Sequence, residues 1–87
     1  MNVKIQFFGR LRETTGIREK DVSLDERAQL KDLVKLLTAD YTISIDDEIN
    51  KGLRILIDGQ EYTFLGGMEA QLKDSNTVVF LPPIGGG

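Results

Sequence analysis

The chain has 87 residues, with 14 acidic against 11 basic side chains and a formal net charge of −3. That length fits a single domain with one modest core. A 40% hydrophobic content with balanced charge excludes a disordered polyelectrolyte. The acidic balance argues against bulk binding to nucleic acid or adsorption on anionic lipid.

Absences narrow the chemistry further. Without cysteine or histidine there is no disulfide framework, thiol nucleophile or imidazole base, and no zinc cluster is expected. No apolar run reaches the length of a membrane span. Met1-Asn2-Val3-Lys4 does not open a signal peptide, so a cytoplasmic location is expected.

The first element is a strand over 3–8, where Val3, Ile5 and Phe7 alternate with Lys4, Gln6 and Phe8. Gly9 ends it. Arg10 to Thr15 suits a helical turn closed by Gly16. Residues 17–24 offer a second alternation, with Val22 and Leu24 on one face, and a hairpin-like pairing with the first strand. The main helix is expected over 29–39, where Leu30, Leu33, Val34 and Leu37 form one apolar stripe. Asp25 and Glu26 stand before it, where the positive end of the helix dipole favours acid. Residues 41–52 read weakly, with Asp46-Asp47-Glu48 in a loop or short strand. Leu53, Ile55 and Ile57 mark a third strand. Asp58-Gly59 is a strong hairpin turn. Residues 60–64 return as a short strand, broken by Gly66-Gly67. A turn over 72–76 leads into a last apolar strand, 77–81, stopped by Pro82-Pro83.

The order is β-β-α-β-β-β with one long helix, a two-layer α+β fold. The first and last strands are the most apolar, so they are expected side by side at the sheet centre. Their parallel pairing would use the intervening chain as its crossover. That is the β-grasp architecture of ubiquitin, with a body over 1–81 and a flexible tail over 82–87.

The tail carries the functional signal. From Ser75 onward no side chain is charged. Pro82-Pro83 favours an extended conformation, and Gly85, Gly86 and Gly87 have no side chains. Fully stretched, residues 82–87 span roughly 20 Å. Such a tail is thin enough for a narrow channel. Its one distinctive group, a terminal carboxylate on Gly87, is a poor electrophile until something else activates it. The plain alternative is a loose terminus without function.

Pro82-Pro83-Ile84-Gly85-Gly86-Gly87 fits a Pro-Pro-apolar-x-Gly-Gly ending, and Phe7-Phe8-Gly9-Arg10-Leu11-Arg12-Glu13-Thr14-Thr15-Gly16 fits the opening that accompanies it. Leu72-Lys73-Asp74 supplies the turn before the last strand. On these motifs the chain resembles the molybdopterin-synthase small subunit and the archaeal small ubiquitin-like modifiers. The likeness spans nearly the whole chain except 41–52. Gly85 stands where relatives often have Ala or Ser.

The resemblance implies a protein with no catalysis of its own and no bound cofactor. A ubiquitin-activating-type adenylyltransferase would use ATP to adenylate Gly87. Sulfur attack would then give a thiocarboxylate that serves the large synthase subunit in building molybdopterin. Attack by a target lysine would instead give an isopeptide bond. Gly85 and Gly86 would thread the partner's channel, and Phe8, Phe80, Leu81, Pro82, Pro83 and Ile84 would meet partners. Val78 and Phe80 share one face of the last strand, Val79 and Leu81 the other, and only one pair can face the helix.

Weaker constellations stay in their plain readings. Asp46-Asp47-Glu48 lacks the spacing of a calcium loop and reads as solvated, so no metal site is expected. Gly66-Gly67 is not followed by the residues of a phosphate loop. Arg10 and Arg12 are candidates for acidic partner groups, although Arg12 and Glu13 read as solvent-facing. Lys20, Lys31 and Lys51 are unranked acceptors for self-conjugation. A third reading is a β-grasp interaction domain with an inert tail.

Overall fold

The alternation of Val3, Ile5 and Phe7 produces strand β1, Asn2–Phe7, with those three side chains buried and Asn2, Lys4 and Gln6 turned outward. The computed structural model describes residues 1–83. Helix α1, Gly9–Thr15, follows and closes on Gly16 in the left-handed region at φ 72°. Strand β2, Glu19–Ser23, returns antiparallel to β1 with Val3 opposite Val22.

Helix α2, Leu30–Tyr41, buries Leu30, Leu33, Val34 and Leu37, the whole expected stripe. Its start is fixed by a reciprocal capping box. The Asp32 carboxylate accepts from the Gln29 backbone N–H at 2.9 Å, and the Gln29 side chain accepts from the Asp32 N–H. Asp25 and Glu26 lie further upstream than the dipole argument assumed. Asp25 accepts from the Arg27 N–H at 2.9 Å, and Glu26 pairs with the N-terminal amine at 3.3 Å.

The segment expected as loop or strand is instead a short helix, α3, Ile45–Asn50. Ser44 caps it by accepting from the Asp47 N–H at 3.2 Å. Asp46, Asp47 and Glu48 occupy its first turn, where acid favours a helix start. Strand β3, Arg54–Ile57, and strand β4, Gln60–Glu61, flank the expected turn, with Asp58 at φ 49° and Gly59 at φ 85°. The returning strand is shorter than its sequence suggested. Tyr62–Leu65 winds into a 3₁₀ turn that leaves the ring of Phe64 82% exposed.

Strand β5, Thr77–Leu81, lies between β1 and β3, parallel to the first and antiparallel to the second. The sheet order is β2-β1-β5-β3-β4, with the expected parallel pair inside the sheet. This is the β-grasp arrangement. Phe7 and Phe80 meet at 5.4 Å between ring centroids, and Tyr41 of α2 packs edge-on against Phe7 at 6.1 Å. The core therefore sits between the inner sheet face and α2.

Beneath the β3–β4 turn lies a polar knot. Asn76, only 8% exposed, donates from Nδ2 to Asp58 Oδ2 at 2.6 Å and accepts at Oδ1 from the Lys73 N–H at 2.6 Å. Asp58 Oδ1 accepts from the Thr77 N–H at 2.7 Å. The knot fixes where β5 begins relative to the turn.

Candidate functional site

β5 delivers the chain to the site. Its pairings put Val78 and Phe80 inward, where both are fully buried, and leave Val79 and Leu81 half-exposed on the outer face. Phe80 is therefore a core residue, which corrects its expected place among the partner-facing side chains. Its ring fills space beneath the sheet and shows nothing to solvent. The other expected set stands together. Leu81 lies beside Phe8, since Phe7 pairs with Phe80 and the Phe8 N–H donates to the Phe80 carbonyl at 3.2 Å. Val79 pairs with Leu56 of β3. Phe8, Leu56, Val79 and Leu81 thus form a half-exposed apolar strip across three adjacent strands.

Charged groups frame this strip. Lys4 pairs with Glu19 at 3.6 Å on one side, and Arg54 with Glu61 at 3.6 Å on the other. Gln6 donates to Glu19 at 2.9 Å. That hydrogen bond, together with the charge of Lys4, holds the Glu19 carboxyl below its ordinary range. Arg12 is more engaged than its plain reading implied. Its Nε donates to the Phe7 carbonyl at 3.1 Å, and its guanidinium lies 5.0 Å from the centroid of the Phe8 ring. Arg12 thereby braces Phe8 at the edge of the strip.

At the end of β5 the chain meets two glycines. Pro82 is buried with its ring over Gly9, and exposed Pro83 lies beside Gly52. Pro82 thus packs on the body, although its sequence placed it in the free tail. Ile84, Gly85, Gly86 and Gly87 lie outside the described residues. Among the described residues no group of three or more acidic side chains is arranged to hold a metal ion. Glu48 serves instead as an internal ion-pair partner of Arg10 and Lys51. No described helix is long and apolar enough to cross a membrane.

An apolar strip beside an extended Pro-Pro exit, on a β-grasp body, suits a protein whose end is handled by another. The sequence profile of the ThiS family matches residues 5–87. The chain belongs to the ThiS family. It is 31% identical over 87 residues to the molybdopterin synthase sulfur carrier subunit of Chlamydomonas reinhardtii, covering 100% of both chains. Small archaeal modifier protein 3 of Haloferax volcanii is 29% identical over 92 residues, again across 100% of both. Among solved structures, small archaeal modifier protein 1 of Methanosarcina acetivorans superimposes with a TM-score of 0.79 at 33% identity, over 99% of this chain and 96% of that one. This ThiS-family member is thus a ubiquitin-like protein of the sulfur-carrier and modifier kind, and its named relatives are carriers and modifiers.

Sequence reasoning missed Leu56, Gly9 and Gly52 at this site. Leu56 alternates with Ile55 and Ile57 in an all-apolar run, so its outward face was visible only once the pairing with Val79 was known. The glycines carry no pattern that foretells contact with prolines 73 and 31 positions away.

Proposed function

We propose that this chain is a ubiquitin-like sulfur carrier resembling the molybdopterin-synthase small subunit. A ubiquitin-activating-type adenylyltransferase joins the Gly87 carboxylate to AMP from ATP and releases pyrophosphate. A sulfur donor then displaces AMP and leaves a thiocarboxylate. The large synthase subunit takes that sulfur into the dithiolene of molybdopterin. The partners supply the bases, the nucleotide and the reacting pocket, and the chain acts as their substrate in the cytoplasm. Gly85 and Gly86 thread the channel, while Phe8, Leu81 and Pro83 meet the partner.

The observation that carries this reading is the end-to-end match to the Chlamydomonas sulfur carrier. The apolar strip beside the chain's exit supports it, because exposed contiguous apolar surface marks an interaction site. Intact mass spectrometry of the protein from its native host is the test. The reading expects a species heavier by the difference between one sulfur and one oxygen atom, located on Gly87.

A second reading is favoured by the likeness to the archaeal modifiers. In it, the same adenylate is attacked by lysines of target proteins and forms isopeptide bonds. High-mass ladders detected with an antibody to the chain, without the sulfur-bearing species, would select it. Neither product in cells with an active pathway would leave an interaction domain with an inert tail.

A further inference from the structure

We infer that Gly9 and Gly52 are paired seats for Pro82 and Pro83, tied to each other through Glu48, and that the seated root is the form the activating enzyme takes. This rests on the carrier reading above and adds to it a set of positioning residues.

The two seats come from different elements. Gly9 opens α1 at φ +56°, and Gly52 follows α3 at φ +105°. A Cβ built on Gly9 stands 3.6 Å from Pro82 Cγ, and one built on Gly52 stands 3.5 Å from Pro83 Cγ. A Cβ there would meet each ring at ordinary van der Waals distance, so each proline ring packs directly beside its glycine. The positive φ values disfavour any side chain at either glycine.

One carboxylate joins the neighbours of both seats. Glu48 Oε1 accepts from Arg10 at 2.8 Å from the terminal nitrogen and at 3.1 Å from Nε. Its Oε2 lies 3.6 Å from Lys51 Nζ. Arg10 follows Gly9 in sequence, and Lys51 precedes Gly52. The Glu48 side chain is only 14% exposed, while the Arg10 side chain is half-exposed. Proline then fixes φ at both seated positions. Both proline rings are thus held against the body before any partner arrives. Each backbone residue ordered in advance removes an entropy cost from docking. Seating therefore lowers the KM for the carrier and leaves the rate of the chemical step alone.

The test is ATP–pyrophosphate exchange by the host's adenylyltransferase, with the carrier as variable substrate. Glu48→Ala is expected to raise KM by about tenfold, the scale of freeing one backbone residue, with kcat little changed. The full charge swap, Arg10→Glu, Glu48→Arg and Lys51→Glu together, restores KM, which a direct contact of Arg10 with the enzyme would not. A reversible lock adds a second readout. The Cβ built on Gly52 lies 3.7 Å from Pro83 Cβ, within disulfide range, so Gly52→Cys with Pro83→Cys is able to close a bridge. The oxidised form is expected to show a lower KM than its own reduced form at equal kcat. An oxidised form that is inactive until reduced overturns the inference, as does Glu48→Ala with the wild-type KM. Wild-type protein without any exchange overturns the carrier reading itself, and this role with it.

Discussion

Replacing Asn76 with alanine tests how the last strand is held in register. The wild-type amide orientation is dictated by its neighbours, because the Asp58 carboxylate only accepts and the Lys73 N–H only donates. Alanine removes both bonds at a site that is 8% exposed. The bond to the carboxylate is worth about 1.5–3 kcal/mol and the neutral one about 1 kcal/mol. Asp58 keeps its bond from the Thr77 N–H, which limits the loss. A net cost of about 3 kcal/mol follows, a large part of the total stability of a domain this size. The midpoint of thermal unfolding should fall by roughly 12–24 °C. Thermal and urea unfolding followed by circular dichroism measure it. The double-mutant cycle with Asp58→Asn, which retains a residue tolerant of positive φ, should return a coupling of at least about 1 kcal/mol. A loss below about 1 kcal/mol for Asn76→Ala, or strictly additive effects of the two changes, refutes the account of the knot as a cooperative clasp.

Other consequences are as direct. Phe80→Ala should cost about 3–5 kcal/mol and compromise folding. Leu81→Glu, on the outer face, should leave a folded protein whose adenylation falls by at least about tenfold; a fully active Leu81→Glu chain would exclude the strip from docking. On the proposed carrier reading, Gly86→Val should abolish adenylation with an unchanged circular dichroism spectrum, because a branched side chain would not thread the partner's channel. Thr42 ends α2 at φ 54°, an awkward conformation for a β-branched residue, so Thr42→Gly should raise stability by about 1 kcal/mol; a lower melting midpoint would contradict this. Glu19 titrates below its reference value of 4.5 in the folded state. Its contribution to stability is therefore present above that reference and is lost as pH falls through the folded value. Glu19→Gln should flatten the acid limb of the stability profile, most visibly at low salt, and an unchanged limb would remove the assigned role of Gln6 and Lys4.

The sequence made most of the framework legible because the apolar periods are clean. Val3-Ile5-Phe7 and the Leu30-Leu33-Val34-Leu37 stripe each point one way, and Asp58-Gly59 admits one kind of turn. Helix α3 was hidden because six residues offer only Ile45 and Ile49 to the core side. Its signal was the capping pattern, Ser44 followed three positions later by Asp47. The orientation of β5 was silent because Val78, Val79, Phe80 and Leu81 are apolar on both faces. Only the register with β1 and β3 decides that Phe80 goes inward. The proline seats depend on packing between segments remote in sequence, which no local pattern encodes.

The side-by-side placement of β1 and β5 has a consequence for synthesis of the protein. The parallel pair joins the first described strand to the last described one. A nascent chain cut short before Thr77 lacks the strand that bridges β1 to β3 and leaves both with open edges. Translation through β5 is thus a condition for closing the sheet.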